Sequence, residues 1–270
     1  MIYFTYRCYS RQTINSFLSK KGYSEGNIYY LIKNQNVLDD NNVVIDKNHK
    51  LHFNSLVKVT LNKEENNIKP LNQKINVLYE DDYILLVNKP YNLDIEPTKN
   101  NYEKTLANMI SYYYKNNCIE SKIHLISRLD KLTSGIVILA KNQYIHNLFK
   151  NVKITKKYKA LLIGKVNKKQ TLKIKIAKDN NSIKRIVNDK GKVSITKYKL
   201  LSYLNNESLV DIKLITGRTH QIRLSFAHIN HPLKNDPLYG KLTDDSGMFL
   251  KAYYVCFIHP ILHKKIKISI

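Results

Sequence analysis

Hydrophobic positions change their spacing near residue 62, and the change divides the chain in two. Before it the period is helical. Ile14, Phe17 and Leu18 fall on one face ahead of a break at Gly22, and Ser24 is placed to cap a second helix through Ile32 that turns Ile28 and Leu31 inward. Runs at 43–45 and 56–61 read as short strands. The polar stretch 62–70 has no periodicity, which predicts a small module at 1–62, a linker at 63–74 and a larger domain at 75–270. In that domain, 77–79 and 83–87 form a hairpin around Glu80-Asp81-Asp82. Helices follow at 105–114 and 143–150, with strands at 136–140 and 156–164, the latter turning Tyr158 and Ala160 to one face and Lys157 and Lys159 to the other. A further hairpin, 194–203 with 209–214, turns at Asn205-Asn206, and the last residues alternate around His259-Pro260. Strands outnumber helices and are mostly hairpin-linked. The predicted fold is α+β with a mixed, largely antiparallel sheet, preceded by a small αβ domain.

Two segments carry chemistry. Ser127-Arg128-Leu129-Asp130-Lys131-Leu132-Thr133-Ser134-Gly135 is polar, ends in glycine and leads into the apolar run Ile136–Ala140, so it is a shaped loop at the edge of a buried strand. It sets the Asp130 carboxylate two residues from the Arg128 guanidinium, where a strand-held acid can be aimed at a substrate. A loop aspartate that caps its own turn has the same local sequence. The second segment, from Thr216 to His228, begins where a strand ends. Gly217 permits a turn and Thr219 is a candidate N-cap for a helix burying Ile222 and Phe226. Arg218 or Arg223 would then reach Asp130, or would bridge loop to loop structurally. His220, His228, His231 and Asp236 match no metal template, since His220 and His228 lie two helical turns apart and His231 precedes Pro232. No glycine-rich dinucleotide or phosphate loop is present, and no cofactor is expected.

Charge narrows the partner. Lys and Arg number 45 against 21 Asp and Glu, a net +24, which points to a polyanion. Abundant Lys, Asn, Ile and Tyr would also follow from AT-rich coding, but the scarcity of acids would not. Arg11, Lys20, Lys21 and Lys33 sit where the first two helices would present them to phosphates. No stretch reaches the length and apolarity of a membrane span, and the N-terminus lacks a secretory pattern. Cys8, Cys118 and Cys256 are too scattered for a disulfide framework or a zinc site, which suits a reducing, cytoplasmic compartment.

Four segments, in order, resemble the RluA family of RNA pseudouridine synthases. They are VLYEDDxxLxVNKP at 77–90, RLDxxTSGxxxxAK at 128–141, a KxYxAxxxG pattern through Tyr158 and Ala160 to Gly164, and GRTHQIRxxxAHxxHPLxxDPLYG at 217–240. The first module resembles an S4-type RNA-binding domain, degenerate in having Asn34 where a glycine usually follows the second helix; a basic αβ lid without RNA contact is the alternative. The resemblance implies the pseudouridine synthase fold and an RNA substrate, ribosomal RNA by family habit, without metal or coenzyme. It also implies that Asp130 is the essential aspartate, that Arg128 enters the RNA stack as the target nucleotide flips out, that Tyr158 stacks on the uracil and that Arg223 pairs with the catalytic carboxylate. Arg218 and His220 share that segment as substrate-binding candidates. Two departures stand out: Ser127 where the family usually has His, and Lys89–Pro97, which lacks the Gly and His of KPxGxxxHP. A catalytically inactive RNA-binding protein of the same fold is the competing reading. A glycoside hydrolase would need a second carboxylate, for which Asp236 is the one candidate.

Overall fold

The computed structural model describes residues 2–270. Its first part runs β1 (Tyr3–Arg7), β2 (Gln12–Thr13), α1 (Ile14–Lys20), α2 (Glu25–Lys33), β3 (Val37–Leu38), β4 (Lys50–Leu51) and β5 (Leu56–Thr60). β1, β5 and β3 form a three-stranded antiparallel sheet, and β2 pairs with β4. The Ser24 hydroxyl caps α2 by accepting the Asn27 N–H, and Thr13 caps α1 in the same way through Ser16. Residues 43–45 are not a strand. They lie antiparallel to β3 through a single bridge, Val44 to Leu38, with the Ile45 N–H donating to the Val37 carbonyl, and the Asp39 carboxylate shapes the turn between the two by accepting the N–H groups of Asn41 and Val43.

The remainder runs β6 (Asn76–Glu80), β7 (Ile84–Lys89), α3 (Leu106–Asn116), β8 (His124–Leu125), β9 (Ser134–Ala140), α4 (Gln143–Leu148), β10 (Thr155–Ile163), β11 (Lys169–Lys178), β12 (Arg185–Val187), β13 (Lys192–Leu204), β14 (Glu207–Leu214), α5 (Gln221–His228), β15 (Leu250–Ile258) and β16 (Lys265–Ser269). Its strands make one 11-stranded sheet in the order β12-β11-β13-β14-β10-β15-β9-β7-β6, with β16 added to β15 and β8 to β9. Every pairing is antiparallel except β9 with β15, so the mixed, largely antiparallel sheet is the one expected. The β13–β14 hairpin turns at Asn205 and Asn206, both at positive φ (51° and 59°), which suits the right-handed twist of the strands it joins.

The apolar alternation of β7 and β9 buries both faces of the sheet. Leu85, Val87, Val137 and Leu139 meet Leu106, Ile110 and Tyr114 of α3 on one side. Ile84, Leu86, Ile136 and Ile138 meet α4 and the first module on the other, in a core that continues without a gap through Ile14, Leu18, Leu31 and Val59. Three tyrosines tie the two parts together. The rings of Tyr23 and Tyr144 stack at 3.9 Å, and each of their hydroxyls lies 3.1 Å from that of Tyr6. The segment between them has no regular structure but is pinned: Glu64 accepts the Gln143 and Lys122 N–H groups and meets His124, while Asn108 and Ser111 of α3 donate to the carbonyls of Lys69 and Ile68.

The parallel contact of β9 with β15 splices the two halves of the sheet through only Ser134–Lys251 and Gly135–Ala252. Gly135 adopts φ +114°, and a Cβ there would stand 2.2 Å from the Ala252 carbonyl oxygen. No other residue allows that approach. Gly135→Ala is expected to cost about 2 kcal/mol or more, from backbone strain and overpacking together, read as a lower midpoint in urea unfolding at unchanged m-value.

Candidate active site

The Asp130 loop is fixed at both ends. On one side the N–H groups of Ile126 and Ser127 both donate to the Ile138 carbonyl, and the buried Ser127 hydroxyl accepts the Ile138 N–H at 3.0 Å. Ser127 therefore locks the loop to β9. On the other side the fully buried Lys89 at the end of β7 donates from Nζ to the carbonyls of Pro90 (3.0 Å), Leu93 (2.8 Å) and Lys131 (2.9 Å). Three N–H bonds meet three carbonyls, which satisfies the ammonium. Burial nevertheless pushes its pKa down to about 8, against the opposing pull of Asp94 and Asp130. Between these anchors the Thr133 N–H closes the turn on the Asp130 carbonyl.

The second segment approaches from α5. Thr219 does not cap this helix. His220 takes the N-cap position at φ +55° without a side-chain cap. The stapling is done by the buried Gln221, whose Oε1 accepts the Arg218 N–H and the Thr216 hydroxyl while its Nε2 donates to the Ile195 carbonyl and the Thr196 hydroxyl on β13. Arg223, on the same helix, is buried with the apolar residues rather than turned away from them. Its main partner is not Asp130. Nε and Nη2 bind the wholly buried Asp236 at 2.8 and 2.6 Å, and Nη1 is left facing Asp130 Oδ2 at 3.7 Å. Asp236 also accepts the N–H groups of Leu238 and Tyr239, so it closes its turn and holds the arginine at once. Burial alone would lower the Arg223 pKa; Asp236 first, and Asp130 after it, hold it above its ordinary value.

His220 Nε2 lies 3.9 Å from Asp130 Oδ2, and Nδ1 lies 2.9 Å from the Tyr239 hydroxyl. Burial pushes this imidazole below its ordinary pKa despite the pull of Asp130, and Arg223 lowers it further, so it is neutral at pH 7. Tyr239 accepts the Arg185 N–H and sets its ring 5.4 Å from the Arg223 guanidinium. Around Asp130, Lys89, Gln221 and Tyr239 stand in the family motifs without a readable role, and the sequence reads Asp236 as closing a turn before Pro237, which it does, but not as the partner of Arg223. Asp236 and Tyr239 stand in the DPLYG pattern, but only the fold reveals what they face.

A cleft of about 640 Å³ opens over the loop, within the range of nucleotide-sized sites, and a recess of about 70 Å³ continues it toward His220 and Arg223. Asp130 lines both, with its side chain 29% exposed. Tyr158 forms part of the wall from β10, its phenol pKa raised by burial and then by the Asp130 charge. Lys156 and Arg218 add positive charge, and burial lowers the Lys156 pKa. Arg128 also lines the cleft but is 72% exposed, with Glu96 at 3.4 Å as its one ionic contact among the described residues. Arg11, Lys20, Lys21 and Lys33 do not border this cleft. Arg11, Lys20 and Lys33 are exposed, while Lys21 is half-buried over the Tyr6 and Phe17 rings.

The comparisons with known proteins place the chain among RNA-modifying isomerases. The family model for RNA pseudouridylate synthases matches residues 83–228, from β7 to the end of α5, and the chain belongs to that family. An uncharacterized RNA pseudouridine synthase of Mycoplasma genitalium is 35% identical over 82% of this chain and 78% of its own length. Ribosomal large subunit pseudouridine synthase D of Buchnera aphidicola subsp. Schizaphis graminum is 35% identical over 72% of this chain and 69% of its own. The structure of human RNA pseudouridylate synthase domain containing 1 shares the fold, with a TM-score of 0.61 at 23% identity over 73% of this chain and 83% of that one.

Removing Asp236 would strand a buried guanidinium. Asp236→Ala is expected to lower unfolding free energy by about 3–5 kcal/mol in urea titrations and, because Arg223 is then free to turn onto Asp130, to reduce turnover more than RNA affinity.

Proposed function

We propose that the protein isomerises uridines of ribosomal RNA to pseudouridine with Asp130 as its catalytic carboxylate. The observation that carries this reading is the position of Asp130: a partly exposed carboxylate at the splice of the two half-sheets, 3.7 and 3.9 Å from Arg223 and His220, where a recess continues the cleft that Arg128, Lys156 and Arg218 line. Ribosomal RNA is favoured by the relatives named for the large ribosomal subunit. The reaction breaks the N1–C1′ bond, turns the base, joins C5 to C1′ and moves the C5 proton to solvent while N1 gains one. It is redox-neutral and needs one ionised acid, as nucleophile or as base at C2′.

Extruding the target nucleotide costs on the order of a few kcal/mol. Arg128, held by a single exposed ion pair, can enter the vacated stack, and Tyr158 offers a ring beneath the uracil. Arg223, held rigid by Asp236, orients the Asp130 carboxylate, while Arg218 and His220 border the substrate. Residues 1–62 form an S4-like RNA-binding domain presenting Arg11, Lys20 and Lys33, with Lys21 half-buried over Tyr6 and Phe17 behind them; residues 63–74 are the linker and 75–270 the catalytic domain.

The test is pseudouridine mapping after incubation with ribosomal RNA. Asp130→Asn is expected to bind RNA as the parent does and yield no product; an active Asn variant would remove this mechanism. Tyr158→Phe is expected to keep most of the activity, because stacking needs the ring and not the hydroxyl, and complete loss would assign the role to the hydroxyl.

A further inference from the structure

The geometry points to a second RNA-contact surface on the face of the large sheet turned away from the cleft. This rests on RNA being the substrate. Alternation along β10 puts Tyr158 and Ala160 on the cleft side and Lys157 and Lys159 on the other, and the strands beside it keep the same phase. The register then assembles two rows across five strands. One reads Thr171, Lys197, Lys213, Lys157, Tyr254, and the next reads Lys169, Lys199, Asp211, Lys159, Lys251. Lys173 extends the face along β11. At a strand spacing of about 4.8 Å, five strands present a grid about 19 Å wide.

Like charges set directly opposite one another destabilise a sheet, and here Lys197, Lys213 and Lys157 are consecutive cross-strand neighbours, as are Lys169 and Lys199. Neutralisation from within the chain is slight. Asp211 is the one carboxylate in the rows, and it is shared between the Tyr253 hydroxyl at 2.8 Å and Lys157 at 4.0 Å. Lys157 and Lys159 rest over the rings of Tyr254 and Tyr253. Lys169, Lys173, Lys197, Lys199 and Lys213 are exposed and form no ion pair among the described residues. An arrangement that opposes folding and lacks internal acids is complementary to a phosphate backbone, which neutralises the grid without reading sequence. Because the face lies opposite the cleft, one RNA reaches both only by wrapping an edge of the sheet, so the surface serves a large folded RNA.

The experiment compares K169Q/K173Q/K197Q/K199Q/K213Q with a control of equal charge change drawn from exposed lysines off that face, K74Q/K104Q/K115Q/K122Q/K241Q. The probe is an in vitro transcript of large-subunit ribosomal RNA, titrated across a salt series. The sheet-face variant is expected to bind at least tenfold more weakly, and the control to stay close to the parent. The slope of log K against log salt is expected to shrink by about 0.7–0.9 for every phosphate that the variant no longer neutralises. Its melting temperature is expected to hold or rise, since repulsion is relieved. K197Q/K213Q alone should give a proportionate part of the effect if the fivefold variant does not fold. Equal losses in both fivefold variants, or an unchanged slope in the sheet-face variant, overturn the proposal. So does loss of binding to phosphatidylserine vesicles with transcript binding intact, which assigns the face to a membrane. Failure of the parent to form pseudouridine would remove the functional reading while leaving this binding comparison decisive.

Discussion

A guanidinium sealed beneath the cleft, gripped by one carboxylate and facing a second, is the interaction on which the site depends. Taking Arg223 and Asp236 out of water is costly, and an ion pair recovers that cost only when geometry is good and the remaining lone pairs are used. Both conditions hold: the contact is bidentate, and Asp236 takes two further N–H bonds from its own turn. Arg223 is therefore immobile, and the nitrogen left over points at Asp130 from a fixed position. One guanidinium stands between two carboxylates, of which Asp130 is the one that solvent or a nucleotide can reach.

The same economy governs the backbone. Asp130 belongs to the loop that enters β9, whereas Arg223 and Tyr158 belong to the other half of the sheet. What keeps them in register is a two-residue parallel contact at Gly135, and the missing side chain there lets β9 and β15 meet. Ser127 and Lys89 then carry that alignment into the loop, one through β9 and the other through β7. The serine in place of the family's usual histidine is thus no vacancy, since its hydroxyl is the clamp.

What could be read from sequence was what local chemistry decides. Ser24 as a cap, the Asn205-Asn206 turn, the buried strand after Gly135 and the common face of Tyr158 and Ala160 are all set by residues near in the chain. What could not be read was partner choice across the fold. Arg223 falls one step off the Ile222 and Phe226 stripe, and a surface helix would expose it; α5 is instead enclosed by the sheet on one side and the Asp236 turn on another, so its polar face is buried as well. Thr219 has the chemistry of a cap, yet Gln221 reaches β13 and moves the helix start past it. Strands β1 and β11 escaped notice because lysine, arginine and tyrosine alternate with their apolar residues, and such strands look polar until Leu172, Ile174 and Ile176 are seen to turn inward.

Within the tripeptide Arg128-Leu129-Asp130 the fold separates two mechanical roles. Leu129 packs against the apolar clusters on both sides, anchoring the middle residue. Asp130 is thereby held at fixed distances from Arg223 and His220, as its proposed catalytic role requires. Arg128 is left almost wholly in solvent, tied to Glu96 by a pair too exposed to hold it firmly. In the proposed reaction Arg128 leaves its resting place to occupy a gap in an RNA stack, a role that such weak restraint suits, just as rigidity suits the acid beside it. Adjacent positions can differ so sharply in restraint only because the loop from Ser127 to Lys131 is locked through backbone and buried groups, leaving the long side chain of Arg128 free to move.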